Sequence, residues 1–379
     1  MKGNTQLRQE NIKRVLSEIR KNGPISKREL QAATGFSWGN ISSVTTLLMN
    51  ENYIMASGKQ ETYVGRKPEE FDININDNYI IGIDFNSEGI LLVLCDLRGR
   101  TVKHYQLKHD KKTKVCALEN LFLLVEKSIK DNTLKKISHI AIAMQGEVDT
   151  QNGVSVKIAD ISDWKNVPIC EKLKNRFGIE CIMLHDPDCL LYTENYFGVF
   201  SENPAENSLL LRIDHGIGIA TMLNGKMYMG NKSKTCEIGT TAVPQCDEQG
   251  WKMLKDIISE AAVKQEFFRL TGEEKDCDKI AEAALKGNTA AVEVFKRLGN
   301  ALGFALNNAI GLLNPEKIIL FGEFTRYAPL FIAETTAVLS RLCNDVPEIF
   351  ISQLDNDAAA VGAALFAADR VIEGLEFVD

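Results

Sequence analysis

The segment CEIGTTAVPQCDEQGW, Cys236 to Trp251, places two cysteines and the acids Glu237 and Glu248 within a short run. Thiolates and carboxylates at such spacing are the donors of a metal site, and zinc asks for four of them in a tetrahedron. A second cluster of a different kind is SWGNISSVTT, from Ser37 to Thr46. Trp38, Asn40, Ser42, Ser43 and Thr45 are uncharged and mostly small. Such side chains suit base edges and phosphates at a helix N-terminus. Downstream, Lys59, Arg66 and Lys67 add positive charge suited to a duplex. Gly65-Arg66 could lay a guanidinium in a minor groove.

Each cluster needs elements to hold it. In QENIKRVLSEIRKNG, Ile12, Val15, Leu16 and Ile19 recur at helical spacing, and Gly23 ends the pattern. SKRELQAATG then opens with Ser26 and has Glu29 three residues on, a capping box. Leu30 and Ala33 give that helix an inner face. Gly35 makes a turn and Ser37 caps a third helix, whose Ile41, Val44, Leu47 and Leu48 share one side. Two short helices joined by a glycine turn after a supporting helix define a helix-turn-helix. YIMASGKQETYVGRKPEEFDI supplies two β-patterned pieces for a wing. The DNA-binding surface is therefore expected at Ser26, Arg28, Ser37, Trp38, Asn40, Ser43, Lys59, Arg66 and Lys67.

Charge divides the same way. Residues 1–68 hold eleven Lys/Arg and five Asp/Glu, a net +6, which leaves −13 on the remainder of a chain whose total is −7. A basic module on an acidic body points to a polyanion partner for the first part only. The nine cysteines are scattered, most of them in apolar surroundings, and are expected to be reduced, mostly buried thiols. No apolar run is long enough for a membrane span, and the polar N-terminus lacks a signal-peptide core, so a cytoplasmic protein is expected.

From about Tyr79 the pattern changes. YIIGIDFNSEGILLVLCDLRGRTVKHYQL is a β-meander, followed by a helix near Val115–Ile129, the buried strand ISHIAIAM, the helix ICEKLKNRFG, the strand IECIMLH and the helix DPDCLLYTENYFG. NSLLLRIDHGIGIATMLNGKMYMG restarts the meander. Helices over about 251–270, 274–286 and 289–313, the strand EKIILFG, a helix, the strand EIFISQ and a last helix follow. Two similar halves predict a duplicated α/β architecture with a ligand cleft between lobes.

Over about 300 residues these segments resemble, in order, the ROK family (repressor, open reading frame, kinase). GRKP resembles the GRRP of the repressor branch, and DFNSEG the first phosphate loop, DIGGTK. The run ending LHDPDCLLYTE resembles NDANAAALAE, and DHGIGIATMLNGKMYMG resembles GTGIGAG plus a hairpin. CEIGTT resembles GEIGH, and NPEKIILFGEF resembles NPE-IVLGGG. DNDAAAVGAALFA resembles the final family helix. The resemblance implies an actin-like (ribonuclease H-like), two-lobed ATPase fold behind a winged helix-turn-helix. The implied bounds are 1–72 for the DNA-binding domain, 79–200 for the first lobe, with a helix at about 357–370 returning to it, and 201–356 for the second lobe.

The same resemblance exposes departures. The family's zinc is held by a His and three Cys. Here those positions carry Thr240, Cys246, Glu248 and Met253, so no metal is expected; the alternative is a repurposed site of Cys236, Cys246 and Glu248. In the first phosphate loop Asn86 replaces a glycine and Glu88 a threonine, and a carboxylate there repels a triphosphate. Asp214-His215 replaces Gly-Thr in the second loop, and Gly322 is what remains of the adenosine glycines. Asp84 is kept. Kinase catalysis and a nucleotide cofactor are therefore not expected.

By the same resemblance, Asp186 stands at the family's catalytic-base position and Glu237 at a sugar-contacting glutamate. His185 replaces an Asn, and Lys255 a second glutamate. Gln145 belongs to the same cleft. One reading is an altered inducer pocket of Gln145, His185, Asp186, Glu237 and Lys255, drawn to an acidic or phosphorylated sugar. The other leaves Asp186 and Glu237 as folding remnants paired with Lys255. The helix AAVEVFKRLGNALGFALNNAIGLL carries Gly299, Ala301, Gly303 and Ala305, which permit close helix approach in the core or between subunits. The expectation is a homodimeric regulator, a repressor, that binds operator DNA and senses a sugar. The alternatives are an active sugar kinase with a DNA-binding head and a regulator that needs no ligand.

Overall fold

A computed structural model describes residues 4–59, 69–74, 78–132, 136–201, 203–214, 216–231, 237–244 and 250–374. The chain forms two compact units, one of Met1–Tyr192 with Asn356–Asp379 and one of Thr193–Asp355.

The first unit opens with helix α1 (Asn4–Asn22), strand β1 (Ile25–Ser26), α2 (Lys27–Thr34), α3 (Trp38–Asn50), β2 (Ile54–Lys59) and β3 (Glu69–Ile73). β1, β3 and β2 make a three-stranded antiparallel sheet, in that order, beside three helices: a winged helix-turn-helix. Most of the helical-period set read from the sequence forms its core: Ile12, Val15, Leu16, Ile19, Leu30, Ile41, Val44 and Leu48 are buried, but Leu47 is half-buried and Ala33 is exposed, with Thr34 facing inward in its place. The capping box forms: Ser26 Oγ accepts from Glu29 N at 3.3 Å, and Glu29 Oε2 accepts from Ser26 N at 2.8 Å.

The unit continues with β4 (Tyr79–Phe85), β5 (Gly89–Cys95), β6 (Thr101–Lys108), α4 (Lys114–Lys130), β7 (Ile137–Met144), β8 (Glu147–Asp149), β9 (Val154–Lys157), α5 (Ile169–Phe177), β10 (Glu180–His185) and α6 (Asp186–Phe197). Its five-stranded sheet runs β10-β7-β4-β5-β6, with the antiparallel meander β4–β6 on one side and the parallel strands β7 and β10 on the other.

The second unit holds β11 (Ser208–Ile213), β12 (Ile217–Leu223), β13 (Lys226–Met227), β14 (Ala242–Pro244), β15 (Trp251–Met253), α7 (Glu260–Thr271), α8 (Cys277–Leu285), α9 (Thr289–Leu313), β16 (Lys317–Phe321), α10 (Ala328–Leu342) and β17 (Glu348–Ile351). The sheet order β13-β12-β11-β16-β17 repeats that of the first, meander then two parallel strands. This shared topology is the duplication, and the fold is the actin-like one. Helix α11 (Ala358–Gly374) returns to the first unit and packs on β4 and β7. A Cβ at Gly82 would fall 2.1 Å from Ala360 O, so the bare glycine lets that helix settle on the sheet.

One further expectation changes. The helix anticipated over 251–270 begins only at Glu260, capped by Ser259, whose Oγ accepts from Ala262 N at 3.1 Å. Residues 251–253 instead pair with 242–244, and Leu254–Asp256 form a single 3-10 turn. The small residues of α9 face α10 within the same unit: a Cβ at Gly299 would meet Phe331 O at 2.5 Å, and one at Gly303 would meet Val338 Cβ at 2.6 Å. Among the described residues no helix is long and apolar enough to cross a membrane.

Candidate functional site

The head presents the N-terminus of α3. Ser37 Oγ accepts from Asn40 N at 3.3 Å, capping the helix. The first amides of any helix lack intrahelical partners, and here they lie beside Trp38, which is 55% exposed. Open space surrounds the position a Cβ would take at Gly39. Ser37 and Ser43 are exposed and Asn40 half-buried, so this turn of helix is open to an approaching duplex. Arg28 on α2 is exposed as well.

Ser26 does not belong to this surface. It is buried, and its hydroxyl is committed to the cap with Glu29. Thr45, read as outward-facing, is buried too; its hydroxyl donates to Ile41 O at 2.8 Å. Thr46 is the exposed neighbour. Lys59 ends β2, paired with Glu69, while Arg66 and Lys67 lie outside the described residues.

In the first unit the turn after β4 carries Asp84, buried at the strand end, and Asn86-Ser87-Glu88-Gly89. Asn86 Oδ1 accepts from Glu88 N at 2.9 Å and from Gly89 N at 3.1 Å. Ser87 N donates to Gln145 Oε1 at 2.8 Å, and Asn86 N to Gly89 O at 3.1 Å. All four backbone amides of the turn are thus bonded from within the protein. The Glu88 carboxylate takes Lys112 Nζ at 2.5 Å. A loop that cradles a phosphate offers free N–H groups; this one offers its own side-chain oxygens instead.

In the corresponding part of the second unit Asp214 bonds across to the segment after β16. Its Oδ1 accepts from Glu323 N at 2.6 Å and its Oδ2 from Arg212 Nε at 2.7 Å. A Cβ at Gly322 would sit 2.4 Å from Asp214 Oδ1, so the carboxylate lies directly over that glycine. His215 is outside the described residues.

The sugar-side residues divide between the units. His185 ends β10, and its Nε2 lies 3.4 Å from Oδ1 of Asp186, the buried first residue of α6. Asp188, two residues on along α6, was not anticipated. It is buried, its Oδ1 has no hydrogen-bond partner among the described residues, and burial together with the charge of Asp186 pushes its carboxyl up to about 8. Gln145 is occupied by Ser87, as above.

In the second unit Glu237 and Lys255 are both exposed, on neighbouring 3-10 turns. Lys255 Cβ lies 3.5 Å from the Cβ position of Gly239. Among the described residues no ion pair joins Glu237 to Lys255. At the family's zinc positions, Thr240 donates its hydroxyl to Glu237 O at 2.8 Å, and Met253 sits in β15 opposite Ala242. Neither supplies the imidazole or thiolate that the zinc takes, so the donor set does not fit. Cys236, Cys246 and Glu248 lie outside the described residues.

A winged helix-turn-helix ahead of a duplicated actin-like body defines a class shared with known proteins. Residues 80–370 match the ROK family model, and the chain belongs to the ROK family. Residues 8–55 match the winged helix-turn-helix DNA-binding model. The DNA-binding transcriptional dual regulator NagC of Escherichia coli is 26% identical, with 98% of this chain and 96% of that protein aligned. The xylose repressor of Bacillus subtilis is 23% identical over 96% of each. Among solved structures, a ROK family transcriptional regulator described as a homologue of the E. coli MLC protein superposes with a TM-score of 0.81 at 23% identity, covering 97% of this chain and 96% of its own. The ROK hexokinase of Thermus thermophilus gives 0.67 at 20% identity, covering 78% of this chain and 100% of its own.

Proposed function

We propose that the protein is a DNA-binding transcriptional regulator, a repressor of carbohydrate-related genes, whose kinase-like body senses a sugar or sugar derivative without phosphorylating it. The observation that carries this reading is the open N-terminal turn of α3, with Trp38 exposed and Asn40 and Ser43 accessible beside unpaired helix amides. The repressors aligned over nearly the whole chain support it. A winged head reading a palindrome needs two copies, so the regulator acts as a homodimer in the cytoplasm.

The loss of catalysis is inferred from the Asn86 turn and from Asp214. With Asn86 bonded to amides of its own turn and Asp214 to Glu323 N, a triphosphate would have to displace a neutral oxygen on one side and meet a carboxylate on the other. Gln145, His185 and Asp186 in the first unit and, separately, Glu237 and Lys255 in the second are proposed as ligand contacts. A lysine in a set of hydroxyl acceptors favours a sugar acid or sugar phosphate.

Genomic fragments retained by immobilised full-length chain test the reading. Fragments from upstream of carbohydrate genes, released by one class of sugar, are the expected result. Retention with no sequence preference would overturn it. Turnover of magnesium-ATP with any sugar would overturn the inactive body.

A further inference from the structure

The head is not joined to the first lobe by a linker alone. Two buried arginines cross between them in opposite directions. Arg20, near the end of α1, reaches into the lobe: Nε donates to Leu97 O at 2.5 Å, Nη2 to Leu365 O at 3.2 Å, and Nη1 pairs with Asp369 on α11. Arg98, in the turn between β5 and β6, reaches back: Nη1 donates to Gly23 O at 2.7 Å and Nη2 to Ile19 O at 2.9 Å, and it also pairs with Asp72 on β3.

Arg98 therefore adds a charged donor to the Ile19 carbonyl, which also accepts from Gly23 N at 2.8 Å, bonds the Gly23 carbonyl just past α1, and holds the wing through the same guanidinium. Its own turn is fixed by Asp96, whose Oδ1 accepts from Arg98 N at 2.8 Å and from Arg100 N at 3.0 Å. Arg20 and Arg98 are 5% and 9% exposed, so these charge-assisted bonds are shielded from water. Lys13 on α1 adds a bond to Glu373 O on α11.

Asp369 has a second partner. Tyr192 Oη donates to its other oxygen, and the Tyr192 ring meets Phe366 edge-on at 5.6 Å. Tyr192 lies on α6, the helix whose first residue is Asp186, six residues or about 9 Å earlier along the axis.

We infer that Arg20, Arg98, Asp369 and Tyr192 are positioning residues that make the DNA-reading head and the first lobe one mechanical body, with α6 tied to the head through Tyr192, Asp369 and Arg20. The head's orientation is set by the lobe, and a shift of α6 is delivered to α1. The regulatory meaning of that path rests on the reading of Asp186 as part of the ligand site; the mechanical union does not.

Hydrogen exchange by mass spectrometry on the full chain, without DNA or sugar, separates the two. In the wild type, peptides from α1 and α3 are expected to be protected about as strongly as those from β4 and β7, because they open together. Arg98→Met is expected to speed exchange in the head at least tenfold and leave β7 unchanged. Tyr192→Phe, which removes one hydroxyl and keeps the ring, is expected to speed α1 several-fold by the same criterion. A head that already exchanges far faster than the lobe in the wild type, or that ignores both substitutions, would overturn the inference. If Arg98→Met unfolds the chain, Tyr192→Phe alone decides. Because no operator enters the measurement, failure of the regulator reading would show separately, as absent DNA preference in a chain whose head and lobe still open together.

Discussion

The start of α3 and the turn after β4 are both clusters of backbone amides, and they meet opposite fates. At α3 the cap uses one hydroxyl on Asn40 N and leaves the first helical amides beside exposed Trp38. In the turn after β4, Asn86 and Gln145 bond the amides that would otherwise face outward. One cluster stays open to solvent and the other is closed by the chain itself. A donor-rich loop can thus have its N–H groups taken by neighbouring side chains, here Asn86 and Gln145, while the strands around it stay in place.

The largest effect is expected where donors are kept outward. Asn40→Ala should weaken operator binding by about 10- to 100-fold, since a well-placed side chain on a base contributes ~1–3 kcal/mol. Fluorescence anisotropy on a labelled duplex checks it, with an unchanged melting temperature showing that the head still folds. An Asn40→Ala chain that binds like wild type would break the comparison on the head's side.

Asp188 sharpens it on the body's side, because it is a buried carboxyl with an oxygen that has no hydrogen-bond partner among the described residues. Its carboxyl is pushed up to about 8 by burial and by Asp186. The folded state therefore keeps a proton that the unfolded state releases near pH 4. Stability contributed through this group falls as pH rises from about 4 to 8 and then levels. Asp188→Asn should flatten that part of the melting-temperature profile and raise the melting temperature most at pH 8 and above. An identical profile in both proteins would contradict the burial argument.

Smaller changes follow at the caps and turns. Asn86→Ala leaves the Glu88 and Gly89 amides without their acceptor and should cost about 1 kcal/mol in chemical denaturation. Ser26→Ala removes the cap of α2, at a cost of about 0.5–2 kcal/mol. Its effect on DNA affinity should be slight, which separates the buried cap from the exposed surface at Trp38 and Ser43.

Much of the head was legible because its signals are local. The helical spacing of Ile12, Val15, Leu16 and Ile19, and the Ser26–Glu29 box, each lie within one turn or two of chain. Thr45 was misplaced for an equally local reason. It falls four residues after Ile41 and three before Leu48, on the inner stripe, and a threonine can sit there by returning its hydroxyl to the Ile41 carbonyl. The meander-then-parallel repeat of the body was legible from two matching runs of β-pattern.

Residues 251–259 were misread as helix because Met253, Leu254, Ile257 and Ile258 fall at near-helical intervals; strand pairing with 242–244, a contact the spacing cannot express, decides otherwise. The side-chain closure of the phosphate-loop positions was half legible. The Asn86 and Glu88 substitutions stand in the sequence, and an asparagine bonding amides two and three residues on is a known turn habit. The bond from Gln145 to Ser87, 58 residues apart, was not. Neither was the arginine exchange of Arg20 and Arg98, whose partners lie as far as 349 residues away.

The central claim is tested most directly by titrating the full chain into two labelled duplexes of equal length at one salt concentration, one from the DNA upstream of its own gene cluster and one scrambled. A preference of about a thousandfold or more for the upstream duplex is the predicted result, because base contacts from α3 add to the charge of the head. Equal affinity for both duplexes would contradict it, leaving only a basic patch that holds any polyanion.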